Sequence, residues 1–338
     1  MRVLGIESSC DDTAVAIVGS DKAIVSNIVI SQHIEHLPYS GVVPEIAARA
    51  HLQNLEHAMT LAFNESKLTL EDVDVIAATS GPGLIGGLIV GSIFGGSIAM
   101  VLQKPFIAVN HLEGHILAIR LSYSIEFPYL LLLVSGGHCQ FVAVLGIGKY
   151  KILGQTLDDA VGEAFDKTAK LLGLGYPGGP IIEKLARNGD PYKYPLPLSM
   201  VNKIGCNLSF SGLKTAVKQL VLSLPSLSKQ EVYDICASFQ YTVVEILRQR
   251  SINAIKIFEA NYNKACYFVI SGGVAANKYI RQKIFKSVNL YGYQGIAPPL
   301  NLCTDNAAMI AWVGVERFKS GLVNSNPAPR ARWNIEEL

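Results

Sequence analysis

Short, uninterrupted hydrophobic runs recur along the chain and alternate with longer segments in which apolar residues return every three or four positions. The short runs are rich in Val, Ile and Leu and end in turns of Gly, Ser or Asp, which is typical of buried strands. These predicted strands are residues 3–7, 13–18, 73–79, 107–109, 129–134, 139–145 and 267–270. Their alternation with helical segments predicts an α/β protein.

The longer segments have the periodicity of helices. In residues 44–64, for example, Ile46 and Leu61 fall on one apolar face. The other predicted helices are residues 83–102, 158–172, 208–222, 231–258 and 307–315. We expect most carboxylates of the segment 158–172 on a solvated face. The segment 190–203, rich in Pro, Tyr and Lys, predicts an excursion at the surface.

The strand–turn–strand unit at residues 3–18 returns at residues 129–145. We interpret this repeat as a duplicated α/β fold in which each half opens with a hairpin that could face a shared ligand. A chain of 338 residues is expected to form two domains of roughly 150 residues each. We predict an N-terminal α/β lobe over residues 1–125 and a C-terminal α/β lobe over residues 126–338, with a helical insertion at about 183–260. The last helix could return to the N-terminal lobe.

Composition adds few restrictions. Half of the residues are hydrophobic and 17% are charged, which is enough apolar material for large cores. A formal net charge of +2 neither demands nor excludes a nucleic-acid partner. The six cysteines lie far apart without a C-x-x-C pair, which predicts reduced thiols in a cytosolic protein. The N-terminal residues show neither a signal-peptide nor a presequence pattern, so we expect a cytoplasmic location.

One segment imitates a membrane span. No charged residue stands between residues 74 and 104, and Gly87, Gly91 and Gly95 have the spacing of a transmembrane packing face. However, the turn signal at residues 80–83 divides the run. We therefore predict a buried strand, a glycine loop and a buried helix, and no contact with a membrane.

Two histidines form the main candidate for chemistry. His111 and His115 stand four residues apart after the strand 107–109, and on a helix both rings would reach one divalent metal. Asp305, just before a predicted helix, is a candidate third ligand, although it could simply cap that helix. Two histidines and one carboxylate leave coordination positions open, as in catalytic metal sites. The alternative is a pair of partly buried histidines packed at a helix start.

The polar turn at residues 8–12 could hold a phosphate or its cation. Three glycine turns follow predicted strands, at residues 80–83, 135–138 and 271–273. The third precedes a helix and therefore offers free backbone amides to an anion. A further glycine-rich loop at residues 173–180 would let a ligand lie against the backbone. Each turn alone is ordinary turn chemistry; together they indicate a nucleotide-binding site.

Eight motifs in the same order resemble the TsaD family, the bacterial tRNA threonylcarbamoyladenosine transferases, once described as glycoproteases. The motifs are residues 5–13 (GIESSCDDT), 81–84 (GPGL), 110–115 (NHLEGH), 135–138 (SGGH), 162–167 (GEAFDK), 176–180 (YPGGP), 209–214 (SFSGLK) and 303–306 (CTDN). The resemblance spans nearly the whole chain, and the form HLEGH looks bacterial within the wider family.

This resemblance implies a two-lobed fold of the actin, sugar-kinase and heat-shock-ATPase class, with the ligand in the cleft between the lobes. It also implies a reaction in which the threonylcarbamoyl group of threonylcarbamoyl-AMP moves to the exocyclic amine of the adenosine 3′ of the anticodon. The substrates would be tRNAs that read codons beginning with A, and AMP would leave. The implied protein partners are a smaller paralogous (TsaB-like) subunit and an ATPase (TsaE-like).

By position, the resemblance implies that His111, His115 and Asp305 bind one divalent metal, with Fe(2+) favoured and Zn(2+) as the second choice. The residues that it implies for binding the adenylate are Val134, Ser135, Gly136, Gly137, His138, Asp166, Gly179, Glu183 and Asn277. We assign Asp11 as the candidate that assists proton removal from the attacking amine.

Two positions depart from the family pattern. Glu183 stands where many relatives have Asp, a change that keeps the carboxylate and lengthens its reach. Asn207 stands where relatives usually have Asp before the SFSG motif, which weakens any role for that side chain. Asp166 and Glu183 are suited to accepting hydrogen bonds from ribose hydroxyls, although one of them could be structural.

Three other functions compete with this one. A metallopeptidase would explain the histidine spacing, but such enzymes place Glu directly after the first His, where this chain has Leu112 and only then Glu113. A kinase or ATPase of the same fold would leave the histidine pair unexplained. A scaffold without activity would not need the complete three-ligand set.

Overall fold

The structure is a computed structural model, and it contains two five-stranded sheets with helices packed against them. It describes residues 1–39, 41–262, 265–323 and 325–338. The strands are β1 (Arg2–Glu7), β2 (Asp12–Gly19), β3 (Ile24–Ser31), β4 (Val75–Gly81), β5 (Phe106–Asn110), β6 (Tyr129–Val134), β7 (Cys139–Gly146), β8 (Lys149–Gln155), β9 (Tyr267–Ser271) and β10 (Gln294–Ile296). The helices are α1 (His33–His36), α2 (Pro44–Ser66), α3 (Ile85–Leu102), α4 (His111–Ser122), α5 (Val161–Leu171), α6 (Gly178–Ala186), α7 (Ser211–Ser223), α8 (Lys229–Asn261), α9 (Lys278–Asn289) and α10 (Ala307–Lys319).

The two sheets repeat one arrangement. The strand order is β3-β2-β1-β4-β5 in one sheet and β10-β9-β6-β7-β8 in the other. In each, the central strand (β1 or β6) pairs antiparallel with the next strand of the chain and parallel with a later strand, β4 or β9. The predicted α/β class and the predicted duplication are therefore confirmed.

The chain divides into two compact units. The first unit comprises Met1–Ile125, Gly146–Tyr150 and Pro298–Leu338, and the second comprises Glu126–Leu145 and Lys151–Ala297. Helix α10 accordingly belongs to the first unit, together with the first sheet. The lobes predicted from the sequence, residues 1–125 and 126–338, refer to folding domains, and their limits stay a prediction.

In the first unit, helices cover both faces of the sheet, which explains why its central strands are apolar without alternation. On one face, Leu4 and Ile6 of β1 join a core to which α2 contributes Leu55. On the other face, a Cβ on Gly5 would lie 2.6 Å from the backbone nitrogen of Ala311, so glycine lets α10 approach β1 closely.

Helix α3 differs from its prediction as a buried helix. Its glycines Gly87 and Gly91 are buried, but Ile85, Ile89 and Ile93 on the opposite side are each about half exposed. By length and composition it is the one helix among the described residues that could cross a membrane, and 33% of it is buried inside the structure. The expected burial therefore holds for one face only.

Three strands were not predicted from the sequence: β3, β8 and the three-residue β10. In β3, buried and exposed positions are mixed, and β8 begins with Lys149 and carries Lys151, so neither segment is a continuous apolar run. The predicted helix 158–172 begins later, at Val161.

All six cysteines are free thiols, and most are buried. Burial raises the pKa of Cys139 and Cys236 to about 12 and that of Cys206 to about 11. Cys266, at the start of β9, is exposed.

Candidate functional site

The two histidines lie in the first two turns of α4, which begins where β5 ends. Asn110 caps the helix, since its Oδ1 accepts a hydrogen bond from the backbone N–H of Leu112 at 2.9 Å. Its Nδ2 donates to the carbonyl oxygen of Trp333 at 3.1 Å. The cap fixes the start of the helix, so that the rings of His111 and His115 lie 4.9 Å apart between centroids.

Asp305 lies against both histidines. Its Oδ1 is 3.0 Å from Nε2 of His115 and 3.6 Å from Nε2 of His111. The cap of α10 is instead the neighbouring Asn306, whose Oδ1 accepts from the backbone N–H of Met309 at 3.0 Å. The side chain of Asp305 is therefore not needed as a helix cap.

The donor atoms of this trio suit one divalent cation. Metal bonds of about 2.1 Å place neighbouring ligand atoms roughly 3.0 to 3.4 Å apart in octahedral or tetrahedral geometry. The ligand atoms of His111, His115 and Asp305 all lie within 4.8 Å of one another. The structure thus brings the three predicted residues together, and their role as ligands stays a prediction.

Glu7 is a member of this cluster that the sequence did not single out. It is 1% exposed, and its Oε2 lies 2.9 Å from Nδ1 of His111. Glu7 also accepts hydrogen bonds from the hydroxyl of Thr79 and the backbone N–H of Ser9, both at 2.6 Å. A carboxylate on Nδ1 orients the ring and leaves Nε2 to face Asp305. The sequence feature that could have identified Glu7 is its position as a single charged residue at the carboxyl end of the apolar strand β1.

Electrostatics favours the charged forms of this pair. Burial alone would raise the pKa of Glu7, but the adjacent His111 lowers it overall. Burial likewise opposes the charged form of His111, and the carboxylates of Glu7 and Asp305 outweigh it and raise the pKa of His111 to about 9. The cluster is therefore built to hold positive charge next to its carboxylates.

The turn between β1 and β2 contains Asp11 and is held in place by α3. The Ser8 hydroxyl donates to the carbonyl oxygen of Gly87 at 2.9 Å. A Cβ on Gly87 would lie 2.3 Å from the Ser8 carbonyl oxygen, and one on Gly91 would lie 2.1 Å from the Ser8 hydroxyl. The glycines of α3 thus let the helix pack directly on this turn, and Asp11 is partly exposed within it.

A cavity of about 660 Å³ opens beside the cluster in the first unit. Its lining includes Asp12, Asn27, Ser31, Thr304 and Asp305. Because Asp305 lines it, a small molecule can reach this carboxylate from the cavity.

In the second unit, residues 134–138 form a tight turn between β6 and β7. The backbone N–H of Ser135 donates to the carbonyl oxygen of His138 at 2.8 Å, and the N–H of His138 donates to the Ser135 hydroxyl at 3.0 Å. A Cβ on Gly136 or on Gly137 would meet nothing within 4 Å. The backbone of this turn is therefore open to a ligand, while Val134 below it is fully buried.

Asp166 of α5 contacts the start of α6, and Gly179 lies in the first turn of α6. Oδ1 of Asp166 accepts a hydrogen bond from the backbone N–H of Gly178 at 2.7 Å. This oxygen of Asp166 therefore has a structural role. The sequence leaves such a role open for either Asp166 or Glu183. A Cβ on Gly179 would meet nothing within 4 Å, so this glycine faces open space.

Glu183 and Asn277 meet at the start of α9. Oε1 of Glu183 accepts from the backbone N–H of Lys278 at 3.1 Å. Asn277 caps α9 by accepting from the N–H of Ile280 at 3.0 Å, and its Nδ2 donates to Oε1 of Gln240 at 2.8 Å. Gln240, buried within the long helix α8, was not predicted because nothing in the sequence links it to Asn277.

The side chain of Asn207 has a structural role. Its Oδ1 accepts from the backbone N–H of Gln155 at 3.0 Å, a bond for which an amide oxygen serves as well as a carboxylate oxygen.

Asp158, an exposed carboxylate, holds the SFSG motif. It precedes α5 and accepts hydrogen bonds from the hydroxyls of Ser209 and Ser211, at 2.6 and 2.7 Å. It also accepts from the backbone N–H groups of Phe210 and Ser211, at 2.8 and 3.2 Å. Partial burial opposes the effect, but these bonds lower the pKa of Asp158. The start of α7 is therefore anchored by this one carboxylate.

Structures of known proteins confirm the fold class. HypF from T. kodakarensis superposes with a TM-score of 0.60 at 14% identity, over 97% of this chain and 49% of that chain. Component A of (R)-2-hydroxyglutaryl-CoA dehydratase from Acidaminococcus fermentans gives 0.53 at 15% identity, over 94% of this chain and 97% of that chain. At these identities the likeness concerns the fold alone.

Sequence comparison is far more specific. The family model of TsaD, described as tRNA N6-adenosine threonylcarbamoyltransferase, matches residues 23–312. The protein of that name from Orientia tsutsugamushi (strain Boryong) is 71% identical over 100% of both chains. The one from Rickettsia bellii (strain OSU 85-389) is 60% identical over 100% of this chain and 99% of its own. The chain therefore belongs to the TsaD family.

Proposed function

We propose that this chain is a transferase that moves the threonylcarbamoyl group of threonylcarbamoyl-AMP to the exocyclic amine of the adenosine 3′ of the anticodon. Its substrates are tRNAs that read codons beginning with A, and AMP is released. The observation that carries this proposal is the 71% identity, over the whole length of both chains, to a tRNA N6-adenosine threonylcarbamoyltransferase. A kinase, an ATPase or a metallopeptidase is not favoured, because the full-length relatives carry the transferase name.

His111, His115 and Asp305 are the proposed ligands of one divalent metal. Two imidazoles and one carboxylate suit Fe(2+), which we favour, and also Zn(2+). The bound metal would supply a Lewis acid for the carbonyl of the carbamoyl group. Glu7 supports this assignment, since its position at Nδ1 of His111 keeps Nε2 of that ring turned towards Asp305.

The second unit is proposed to bind the adenylate part of the donor. The open backbone at Gly136 and Gly137 offers amides to its phosphate. Glu183 is suited to a ribose hydroxyl through the carboxylate oxygen that does not bind Lys278. Val134, Ser135 and His138 shape the turn, and the remaining donor contacts are assigned to Asp166, Gly179 and Asn277.

Asp11 is proposed to assist proton removal from the attacking amine. The aromatic amine is a weak nucleophile, and a carboxylate within hydrogen-bond reach speeds its attack by accepting the proton. The partial exposure of Asp11 leaves it accessible to the substrate.

The proposed partners are tRNA, a smaller paralogous (TsaB-like) subunit and an ATPase (TsaE-like), and the proposed compartment is the cytoplasm. Free thiols support a reducing compartment.

The test is threonylcarbamoyl transfer to an unmodified A-decoding tRNA, with the partners added, by the wild type and by His111→Ala. We expect transfer and bound metal in the wild type, and loss of both in the folded variant. His57→Ala, which changes an exposed histidine of α2, should behave as the wild type. No transfer by the wild type with active donor and partners would refute the function. Unimpaired transfer by His111→Ala would refute the metal assignment alone.

A further inference from the structure

Charge is divided unequally between the two compact units. The second unit contains 18 Lys and Arg residues against 11 Asp and Glu residues, a formal charge of +7. The first unit contains 11 against 16, a formal charge of −5. The nearly neutral total of the chain conceals this difference. A polyanion is therefore attracted to the second unit.

Helix α9 carries part of that positive charge. None of its twelve residues is acidic, and Lys278, Lys283 and Lys286 are exposed. The Nζ of Lys283 lies 5.3 Å from the ring centroid of Tyr279, one turn earlier on the same helix. The ring and the cation thus form a compact pair on the surface of the helix.

Two further tyrosines adjoin this pair. Tyr192 is 72% exposed, and its ring centroid lies 5.0 Å from that of Tyr241 in an edge-on arrangement. The pKa of Tyr279 is raised by its partial burial and by the neighbouring phenols of Tyr192 and Tyr241. We call Tyr192, Tyr241, Tyr279 and Lys283 the tyrosine surface.

Two carboxylates lie near the tyrosine surface, and one of them, Asp190, accepts a hydrogen bond through Oδ1 from the backbone N–H of Tyr192 at 2.9 Å. The carboxylate that adjoins Tyr241 and Tyr279 is that of Glu245. Arg248 binds it through Nε at 3.0 Å and Nη2 at 2.8 Å. The surface thus combines the exposed ring of Tyr192 and the partly exposed rings of Tyr241 and Tyr279 with Lys283, which forms no ion pair among the described residues. Aromatic rings beside a cation are the combination on which single-stranded nucleotides stack.

The tyrosine surface adjoins the residues that we assign to the donor. Tyr241 directly follows Gln240, which binds the side chain of Asn277 at 2.8 Å. Tyr279 follows Asn277 by two positions, and between them the backbone N–H of Lys278 binds Glu183 at 3.1 Å. A nucleic acid on this surface would lie beside the proposed adenylate site of the same unit.

We propose that the tyrosine surface binds unpaired nucleotides of the tRNA substrate near the target adenosine. Bases stack on Tyr192 and Tyr279, and Lys283 contacts a phosphate. Tyrosine stacking tolerates any base, so this surface suits an enzyme that must accept several tRNAs. The inference rests on the proposed function, because it takes tRNA as the substrate.

The first experiment measures binding of the full-length chain to a fluorescent anticodon stem-loop RNA at several salt concentrations. Loss of one stacked base weakens binding by roughly 5- to 150-fold, so Tyr192→Ala/Tyr279→Ala should bind at least about tenfold more weakly. Tyr192→Phe/Tyr279→Phe should restore binding, because stacking needs the ring and not the hydroxyl. Lys283→Gln should reduce the slope of log affinity against log salt by about 0.7.

A matched control comes from the first unit, where Tyr123 and Lys67 are exposed. Tyr123→Ala/Lys67→Gln should bind RNA as the wild type does. Wild-type affinity in the double alanine variant, or no RNA binding by the wild type, would overturn the inference.

Threonylcarbamoyl transfer, measured over a range of tRNA concentrations, separates this inference from the proposed function. The double alanine variant should raise KM for tRNA and leave kcat near the wild-type value. Intact transfer with unchanged KM would overturn the tyrosine surface and leave the transferase standing. If the wild type shows no transfer but still binds RNA, and this binding depends on the tyrosines, the transferase function would be refuted. The inference that the tyrosine surface binds RNA would then still stand.

Discussion

The side chain of Glu113, which lies between the two histidines in sequence, forms a buried ion pair with Arg317. Nε of Arg317 is 2.6 Å from Oε2 of Glu113, and the two side chains are 6% and 0% exposed. The hydroxyl of Tyr150 donates to the other carboxylate oxygen at 2.8 Å. Glu113 is thus committed to joining α4, α10 and the segment Gly146–Tyr150, and it does not serve as the base of a metallopeptidase.

Breaking this pair is predicted to destabilise the first unit. Arg317→Met leaves an uncompensated carboxylate in the interior, which costs about 3–5 kcal/mol. The free energy of unfolding from urea titrations measures the loss. The double variant Glu113→Gln/Arg317→Met should recover much of it. Arg49→Met, which removes a pair whose side chains are 76% and 75% exposed, should cost less than about 1 kcal/mol. Equal losses for the two single variants would contradict the prediction.

Glu7→Gln is predicted to weaken metal binding by about 10- to 100-fold, because the neutral amide no longer polarises the ring of His111. Calorimetric titration of the metal-free protein with Fe(2+) or Zn(2+) measures this directly. Glu56→Gln, on the exposed face of α2, is the control. Unchanged metal affinity in Glu7→Gln would show that Glu7 only supports the fold.

Asp11→Asn is predicted to lower the rate of threonylcarbamoyl transfer by about 100-fold or more, the usual contribution of a positioned base. Metal content and tRNA binding should stay at the wild-type level. An unchanged transfer rate in this variant would remove Asp11 from the mechanism.

Asp12 is predicted to make stability depend on pH. Burial, with a smaller contribution from Asp305, raises its pKa from 3.8 to about 7, against an opposing hydrogen bond with Ser31. Between about pH 4 and pH 7 the folded chain keeps a proton that the unfolded chain has released, so the free energy of unfolding falls as pH rises. The slope is at most about 1.4 kcal/mol per pH unit.

Urea unfolding of the metal-free protein across this pH range provides the measurement. Asp12→Asn should flatten the dependence, because the amide does not titrate. A variant with the same slope as the wild type would assign the effect to other carboxylates.

The sequence predicted what is local in the chain. The helical spacing of His111 and His115 places both rings on one side of α4, and Asp305 lies just before α10, as its place in the sequence predicted. The uninterrupted apolar strands β1 and β6 were predictable because both faces of each are buried.

Contacts between distant positions were not predictable. Glu7 and His111 are 104 residues apart in the chain, and Gln240 is 37 residues from Asn277. Tyr192, Tyr241 and Tyr279 come from a loop and two helices, and no spacing rule connects them. Asp158 was assigned to the helix that follows it in sequence. Its contacts with the SFSG motif, about 50 positions later, leave no periodic pattern in the sequence that could have revealed them.

The burial of the thiols has a practical consequence for labelling. Maleimides react with the thiolate, and a raised pKa keeps a thiol protonated at neutral pH. Cys139, Cys206 and Cys236 are protected in this way, and Cys303 is buried. Burial and the neighbouring Asp11 also raise the pKa of the partly exposed Cys10. A fluorophore should therefore attach first to Cys266, without replacement of any other cysteine. The dye would then sit on the unit that carries the tyrosine surface and could report the arrival of RNA.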